Sequence, residues 1–267
     1  MSIEKDAYEI VDLWVEENIR PSDMARVKFI ASLIPSDVDV ILDIGCGGGI
    51  FLNYLVEQKK YKSLLGVDRS FTAIKFVKTE KCVADIVSLP FAESEFDLVV
   101  CLEVIEHLPL PKYTKGLSEI CRVAHKYIII TVPNNENLER SLVRCPYCHT
   151  RFNPDYHMRS YQFDSLDNLL NPYKFRCVKK FRICGGKEYV GIQSLKKVIG
   201  FYKIPTSNYS MIPWFAICPV CGYHGSLKAP GSNAHESKSR NLCYHIMKHF
   251  WPKRRVYYWI GGLYVKD

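Results

Sequence analysis

Four glycines in the run Ile41-Leu42-Asp43-Ile44-Gly45-Cys46-Gly47-Gly48-Gly49-Ile50-Phe51 follow an apolar stretch and precede an amphipathic one. Backbone N–H groups there can meet a ligand with no side chain in the way, which is the chemistry of a cradle for a nucleotide-like cofactor. Gly-x-Gly alone also fits a dinucleotide site or a tight turn. The dinucleotide fingerprint needs a further glycine at position 50, where this chain has Ile50, and that counts against a pyrophosphate ligand. Asp68 lies about 20 residues past the loop, where a carboxylate can accept hydrogen bonds from ribose hydroxyls. Asp85, followed by Ile86, can accept from an adenine amino group or simply form a turn. Asp43 can brace the loop or face an ammonium group.

A second set of residues has metal chemistry. Cys145-Pro-Tyr-Cys148 and Cys218-Pro-Val-Cys221 each put two thiolates on a tight turn, which suits two corners of a tetrahedral zinc site, and Gly222 fits the knuckle. One zinc held by Cys145, Cys148, Cys218 and Cys221 is the expectation. His149, His157 and His224 are possible substitutes, but four thiolates already satisfy the ion. Such a site is closed to substrate, so its expected role is structural, stapling two irregular segments together.

These residues need elements to position them. Tyr8, Val11, Val15 and Ile19 recur at helical spacing, and Met24 to Ile34 repeats the pattern through Val27, Ile30, Ala31 and Ile34, predicting two helices before the sheet. Short apolar runs then alternate with amphipathic stretches: strands at 38–44, 63–67, 97–102 and 127–132, and helices at 49–58, 71–79 and 113–123. This order predicts an α/β fold with a mostly parallel, Rossmann-like sheet. Residues 163–170 read as a short helix, 175–183 as a strand and 256–265 as a closing strand, with Gly261-Gly262 marking a bulge or turn.

The succession LDIGCGGG, GVDRS, VADIVSLPFAESEFDLVVCLEVIEHL and ITVPN strongly resembles class I S-adenosylmethionine-dependent methyltransferases, especially the group acting on small molecules and lipids. The resemblance covers about residues 38 to 134, and HMRSYQFDSLDNLL resembles the lead into a later helix of that family more loosely. It implies that Gly45, Cys46, Gly47, Asp68, Arg69, Asp85 and Ile86 contact S-adenosylmethionine, with Asp43 at the loop and Leu102 and Glu103 near the methionine end. A sulfonium is already an activated methyl donor, so the protein must mainly align a nucleophile and exclude water. His107 is the candidate general base, if it does not instead pack against the cofactor or cap a helix. His157 is the second candidate.

One domain spanning 1–267 is expected. Its parts are N-terminal helices in 1–36, a cofactor-binding core in 37–134, zinc-binding insertions in 135–160 and 184–254, and a closing strand in 255–267. The 11 cysteines, in a chain of 267 residues whose start lacks the features of a secretory signal, read as reduced thiols or metal ligands rather than disulfides, with the cytoplasm as expected location. No apolar run approaches a membrane span. The expected acceptor is a small molecule, glycan or lipid-like compound, methylated most readily on oxygen. A net charge of +8 keeps RNA or protein open as the acceptor. So does the tail mixing Lys248, Lys253, Arg254 and Arg255 with Phe250, Trp251, Tyr257, Tyr258 and Trp259, although a closing strand with a basic edge is the better account of it. A non-catalytic zinc-stapled binding module is the third possibility.

Overall fold

A computed structural model describes residues 6–15, 18–189, 212–213, 215–224 and 253–267. Its centre is a seven-stranded sheet of order β3-β2-β1-β4-β5-β9-β8. The strands are β1 Val40–Ile44, β2 Ser63–Asp68, β3 Glu80–Val83, β4 Phe96–Leu102, β5 Ala124–Pro133, β8 Phe175–Tyr189 and β9 Lys253–Lys266. β1 to β5 pair in parallel, whereas β9 runs antiparallel to both β5 and β8. This is the expected α/β, Rossmann-like class I methyltransferase fold.

The central strands are near-continuous apolar runs because both faces of the sheet are covered. Alternation still sorts their side chains: Val99, Cys101, Ile128 and Ile130 pack into one core, and Leu98, Val100 and Ile129 into the other. Helix α1, Pro21–Ala31, starts on a proline and presses Val27 and Ile30 onto the second face, beside Phe51 and Leu55 of helix α2, Ile50–Gln58. Helix α3, Leu110–Val123, covers the first face with Leu117, Ile120 and Val123. Each such buried aliphatic side chain contributes about 1.5–3 kcal/mol.

Several expectations are corrected. The helix expected around Tyr8 to Ile19 is a 3-10 turn, Val11–Leu13, with turns around it, and Val11 of the supposed buried stripe is exposed. Trp14 explains this: its Nε1 donates to the Tyr8 carbonyl (2.9 Å), and its ring lies over Gly47, so the segment folds onto the glycine loop instead of forming a free helix. The helix expected at 71–79 shrinks to a 3-10 turn, Ala73–Phe76, and that at 163–170 to a 3-10 turn, Phe163–Leu166. β3 went unforeseen because it is a short edge strand with Glu80, Lys81 and Val83 exposed, which leaves no apolar alternation to read.

β8 and β9 are both longer than expected, so that 184–189 and 253–254 lie in strands rather than in an irregular segment. Gly261 and Gly262 sit in continuous strand, and the register shifts fall elsewhere, leaving Val178 and Gly185 of β8 and Tyr258 of β9 outside the pairing. Gly261 has a packing reason: a Cβ there would come within 2.4 Å of the Phe181 ring. Lys248, Phe250 and Trp251 of the basic tail, and most of 184–254, lie outside the described residues. Among the described residues no helix is long and apolar enough to cross a membrane.

Candidate active site

The C-terminal ends of β1, β2 and β4 open into a cavity of about 1000 Å³. Every residue singled out for cofactor contact lines it: Asp43, Gly45, Cys46, Gly47, Asp68, Arg69, Asp85, Ile86, Leu102 and Glu103, with His107 at one side. The glycine loop is tied to β2, since the N–H groups of Gly45 and Cys46 both donate to the Val67 carbonyl (2.7 and 3.0 Å). Gly45 and Gly47 have φ of +73° and +51°, and a Cβ on Gly45 would fall 2.4 Å from Val104. Glycine is therefore required there by conformation and by space.

Asp68 holds this loop to the end of β2. Its carboxylate accepts from the N–H of Gly47 and of Ser70, each at 2.8 Å. Burial nevertheless raises its pKa above the ordinary value, the backbone donors offsetting only part of that. Asp43 is 2% exposed, and burial, together with the neighbouring Asp68, pushes it up to about 8 against the opposing pull of Arg26. Asp85 lies at the far end in an ion pair with Lys112 (2.8 Å); partial burial is the largest single influence and raises its pKa, but hydrogen bonds from Lys112 and the Val87 N–H, with the charges of Lys112 and Arg69, together bring it below the ordinary value. Glu103, at φ +59°, accepts from the Thr131 hydroxyl (2.9 Å) and faces Arg26 at 3.5 Å. Burial raises its pKa, and Arg26 and Thr131 pull the other way. The Cys46 thiol is also pushed up by burial, which keeps it un-ionised.

A second cavity, of about 460 Å³, adjoins the first and shares Tyr8, Trp14 and His107 with it. Asp155, Tyr156, His157 and Phe215 close its other side. The His107 and His157 rings stand edge to face, centroids 4.7 Å apart. Burial first, then the charges of His157 and Arg69, push His107 down to about 3, so its imidazole is neutral, and Nδ1 meets the Tyr8 hydroxyl at 3.1 Å. His157 is raised instead: burial opposes the charge, but its Nδ1 is hydrogen-bonded to Glu136.

The four candidate zinc ligands also come together. The Sγ atoms of Cys145, Cys148, Cys218 and Cys221 all lie within 4.8 Å of one another, with Cys145 to Cys221 at 3.6 Å and Cys148 to Cys218 at 3.5 Å. Tetrahedral zinc with Zn–S bonds of about 2.3 Å needs S···S separations of roughly 3.8 Å, so the donor set fits. The two knuckles repeat one turn. Cys145 N–H donates to Thr150 and His149 N–H to Cys145; Cys218 N–H donates to Tyr223 and Gly222 N–H to Cys218. His149 and Gly222, equivalent in the two turns, both have positive φ, +62° and +73°. The first knuckle is framed by the hairpin β6 Val143–Arg144 and β7 Arg151–Phe152. Tyr156 fastens the second, donating to the Ile217 carbonyl (2.9 Å) and accepting from the Ile217 N–H (2.8 Å).

Sequence reasoning missed Tyr8, Trp14, Arg26 and Lys112, which line the larger cavity from elements distant in the chain. It also passed over Glu106, although this acid stands beside His107. Its side chain is fully buried, and neither carboxylate oxygen has a hydrogen-bond partner.

Residues 42–129 match the family model described as a methyltransferase domain. The chain is 29% identical over 150 residues to an uncharacterized protein of Methanocaldococcus jannaschii, covering 50% of this chain and 64% of that protein. It is 29% identical over 121 residues to the ubiquinone biosynthesis O-methyltransferase of Coxiella burnetii, covering 41% of this chain and 50% of the relative. The chain thus spans about half to two thirds of the length of these curated relatives. Among solved structures it is similar to a SAM-dependent methyltransferase from Archaeoglobus fulgidus, with TM-score 0.52 and 19% identity over 91% of this chain and 92% of that one.

Proposed function

We propose that this chain is an S-adenosylmethionine-dependent methyltransferase acting on an oxygen of a small-molecule acceptor, with a structural zinc in its accessory lobe. The observation that carries the reading is the left-handed glycine loop clamped by Asp68 at the mouth of a large cavity. The matched domain and the relatives named as O-methyltransferases support it. In this reading Asp68 accepts from the ribose hydroxyls, Asp85 and Ile86 face the adenine, and Asp43, Leu102 and Glu103 attend the methionine end, with Gly45, Cys46, Gly47 and Arg69 forming the wall. Bound cofactor supplies a methyl group on a sulfonium, ready for in-line displacement.

The acceptor occupies the adjoining cavity, whose 460 Å³ falls in the range of small-ligand sites. Its walls exclude water and hold the nucleophile in line, which is where most of the rate is gained when the leaving group is already activated. His107 stands between the two cavities as an aligning residue. An imidazole pushed down to about 3 takes a proton from a hydroxyl poorly, so proton removal is not assigned to it. Cys145, Cys148, Cys218 and Cys221 hold zinc, which crosslinks the two irregular segments that carry His157 and Phe215.

Titration calorimetry with S-adenosylmethionine on the wild type and Asp68→Ala tests the cofactor site. Charge-assisted hydrogen bonds of about 1.5–3 kcal/mol predict an affinity loss on the order of 10- to 100-fold. Equal affinities would sink the assignment. Labelled cofactor incubated with fractionated extract then shows whether label enters metabolite, lipid, RNA or protein; label confined to RNA or protein overturns the small-molecule acceptor.

A further inference from the structure

The smaller cavity has a wall whose chemistry methyl transfer by itself leaves unused. Tyr8, Trp14, Tyr156 and Phe215 give it aromatic surface, and three carboxylates, Asp12, Asp23 and Asp155, line the same space. The charges there do not balance. Arg20 is held by Asp23 in a two-point ion pair (2.8 and 2.9 Å), and the charge of His157 is met by Glu136. Among the described residues the carboxylates of Asp12 and Asp155 accept no hydrogen bond and join no ion pair. Desolvation raises the pKa of Asp155, and the charges of His157 and Arg20 offset this only in part. A carboxylate so placed is stabilised by a cation brought to it. The rings are set to take one as well. Tyr8 and Tyr156 have centroids 6.2 Å apart and planes tilted by 51°, so they form two walls of a notch rather than a stack. Both are fixed by their hydroxyls, Tyr156 to the Ile217 backbone and Tyr8 to His107 Nδ1. A cation within about 6 Å of a ring centroid is attracted by the π face. Tyr8 already meets one such charge, the Arg69 guanidinium at 5.0 Å, which lines the larger cavity.

From this wall we infer that the acceptor carries a cationic nitrogen, held by Asp12 and Asp155 against the rings of Tyr8, Trp14, Tyr156 and Phe215, while a hydroxyl elsewhere on the same molecule takes the methyl group. The part given to the hydroxyl rests on the methyl-transfer reading, whereas the cation pocket rests on the cavity's own wall. Aromatic faces beside carboxylates select a cation over a neutral group of equal size, because the neutral group gains burial and nothing else. They repel an anion such as a phosphate. His107, between the two cavities, is neutral and adds no repulsion of its own. The carboxylates also favour the charged form of an amine, and an ammonium has no lone pair with which to attack a sulfonium. Methylation therefore falls on oxygen, although a neutral amine would be the better nucleophile. The acceptor class is a small hydroxylated amine, such as an amino sugar.

Choline and its neutral isostere 3,3-dimethylbutan-1-ol, which has carbon in place of the nitrogen, are the probes. Saturation-transfer NMR on zinc-loaded protein at low salt reads their methyl signals, with and without S-adenosylmethionine. Choline should bind saturably and about 10-fold or more tighter than the isostere. Asp155→Asn, which keeps the size of the side chain, should weaken choline about 3- to 10-fold and leave the isostere unchanged. Asp12→Asn in addition should bring the two probes close to equal affinity. Melting curves separate loss of the pocket from loss of fold: neither carboxylate has a partner to lose, so both variants should melt with the wild type. No saturable choline binding, equal affinity of the wild type for the two probes, or unchanged choline affinity in the double variant overturns the pocket. The labelled product formed in extract should be retained by a sulfonated cation-exchange resin, and label in the neutral or acidic fraction overturns the acceptor class. Calorimetry with S-adenosylmethionine on the same samples keeps the two readings apart. Cofactor affinity with no choline binding rejects the cation pocket alone, and choline binding without cofactor affinity rejects methyl transfer while leaving the pocket standing.

Discussion

On the side of the cavity proposed for the cofactor, Asp43, Gly45, Gly47 and Asp68 come from two neighbouring strands and the loop between them, and they are joined by backbone hydrogen bonds such as Gly45 N–H to Val67. On the side proposed for the acceptor, Tyr8, His107, His157 and Phe215 come from four separate stretches and meet through side chains and the cysteine lobe. The first wall is part of the sheet and shares its cooperativity. The second depends on a small satellite core of Val143, Cys145, Phe152, Ile212, Ala216 and Cys218, too few residues to hold two irregular segments without a crosslink. The contrast predicts that the two walls respond independently to perturbation.

The largest effect should come from breaking the second wall alone. Cys218→Ser removes a thiolate from a site whose metal affinity in comparable knuckles reaches about 10 kcal/mol or more of folding free energy. Zinc content should fall to near zero by atomic absorption, and residues 135–160 should become open to limited proteolysis while the sheet and the cofactor affinity persist. If cofactor binding fails together with the lobe, the two walls are a single unit and the contrast is wrong.

A smaller effect is expected where the walls touch. Gly47 has φ +51°, and a Cβ there would lie 2.5 Å from the Trp14 ring. Gly47→Ala should cost about 1–2 kcal/mol for the left-handed backbone, and it should also dislodge Trp14. Chemical denaturation measures the first, and the emission spectrum of the tryptophans reports the second. An unchanged spectrum would mean that the N-terminal segment does not seal the glycine loop.

A third expected change is confined to the wall assigned to the cofactor and appears as a pH dependence. Asp43 is raised to about 8 by burial and by Asp68, against Arg26. The folded chain therefore holds a proton that the unfolded chain releases near the usual carboxylate value. Its contribution is fully present below about pH 4 and is lost as pH rises towards 8. In cofactor-free protein, Asp43→Asn should raise the melting temperature relative to wild type more at pH 8 than at pH 5. Equal shifts at both pH values would show that Asp43 is not held protonated.

The cofactor wall was legible in the chain because its information is local. Gly45 and Gly47 follow an apolar strand, Asp68 ends the next, and parallel pairing of neighbouring strands brings them together whatever surrounds them. Cys145, Cys148, Cys218 and Cys221 were legible for a similar reason, since each pair carries its own turn. The sequence by itself determined the central parallel strands, the loop and the presence of two knuckles. Tertiary structure alone decided what Tyr8, Trp14, Glu106 and Glu136 do. Tyr8 and Val11 satisfy a helical spacing, yet Trp14 packs that segment over Gly47, because a short helix lacking a packing partner is marginal in water. Glu106 looks like an ordinary acid until its surroundings are seen, for a carboxylate becomes unusual only when water is removed from it, and the removal is done by residues far away in the chain.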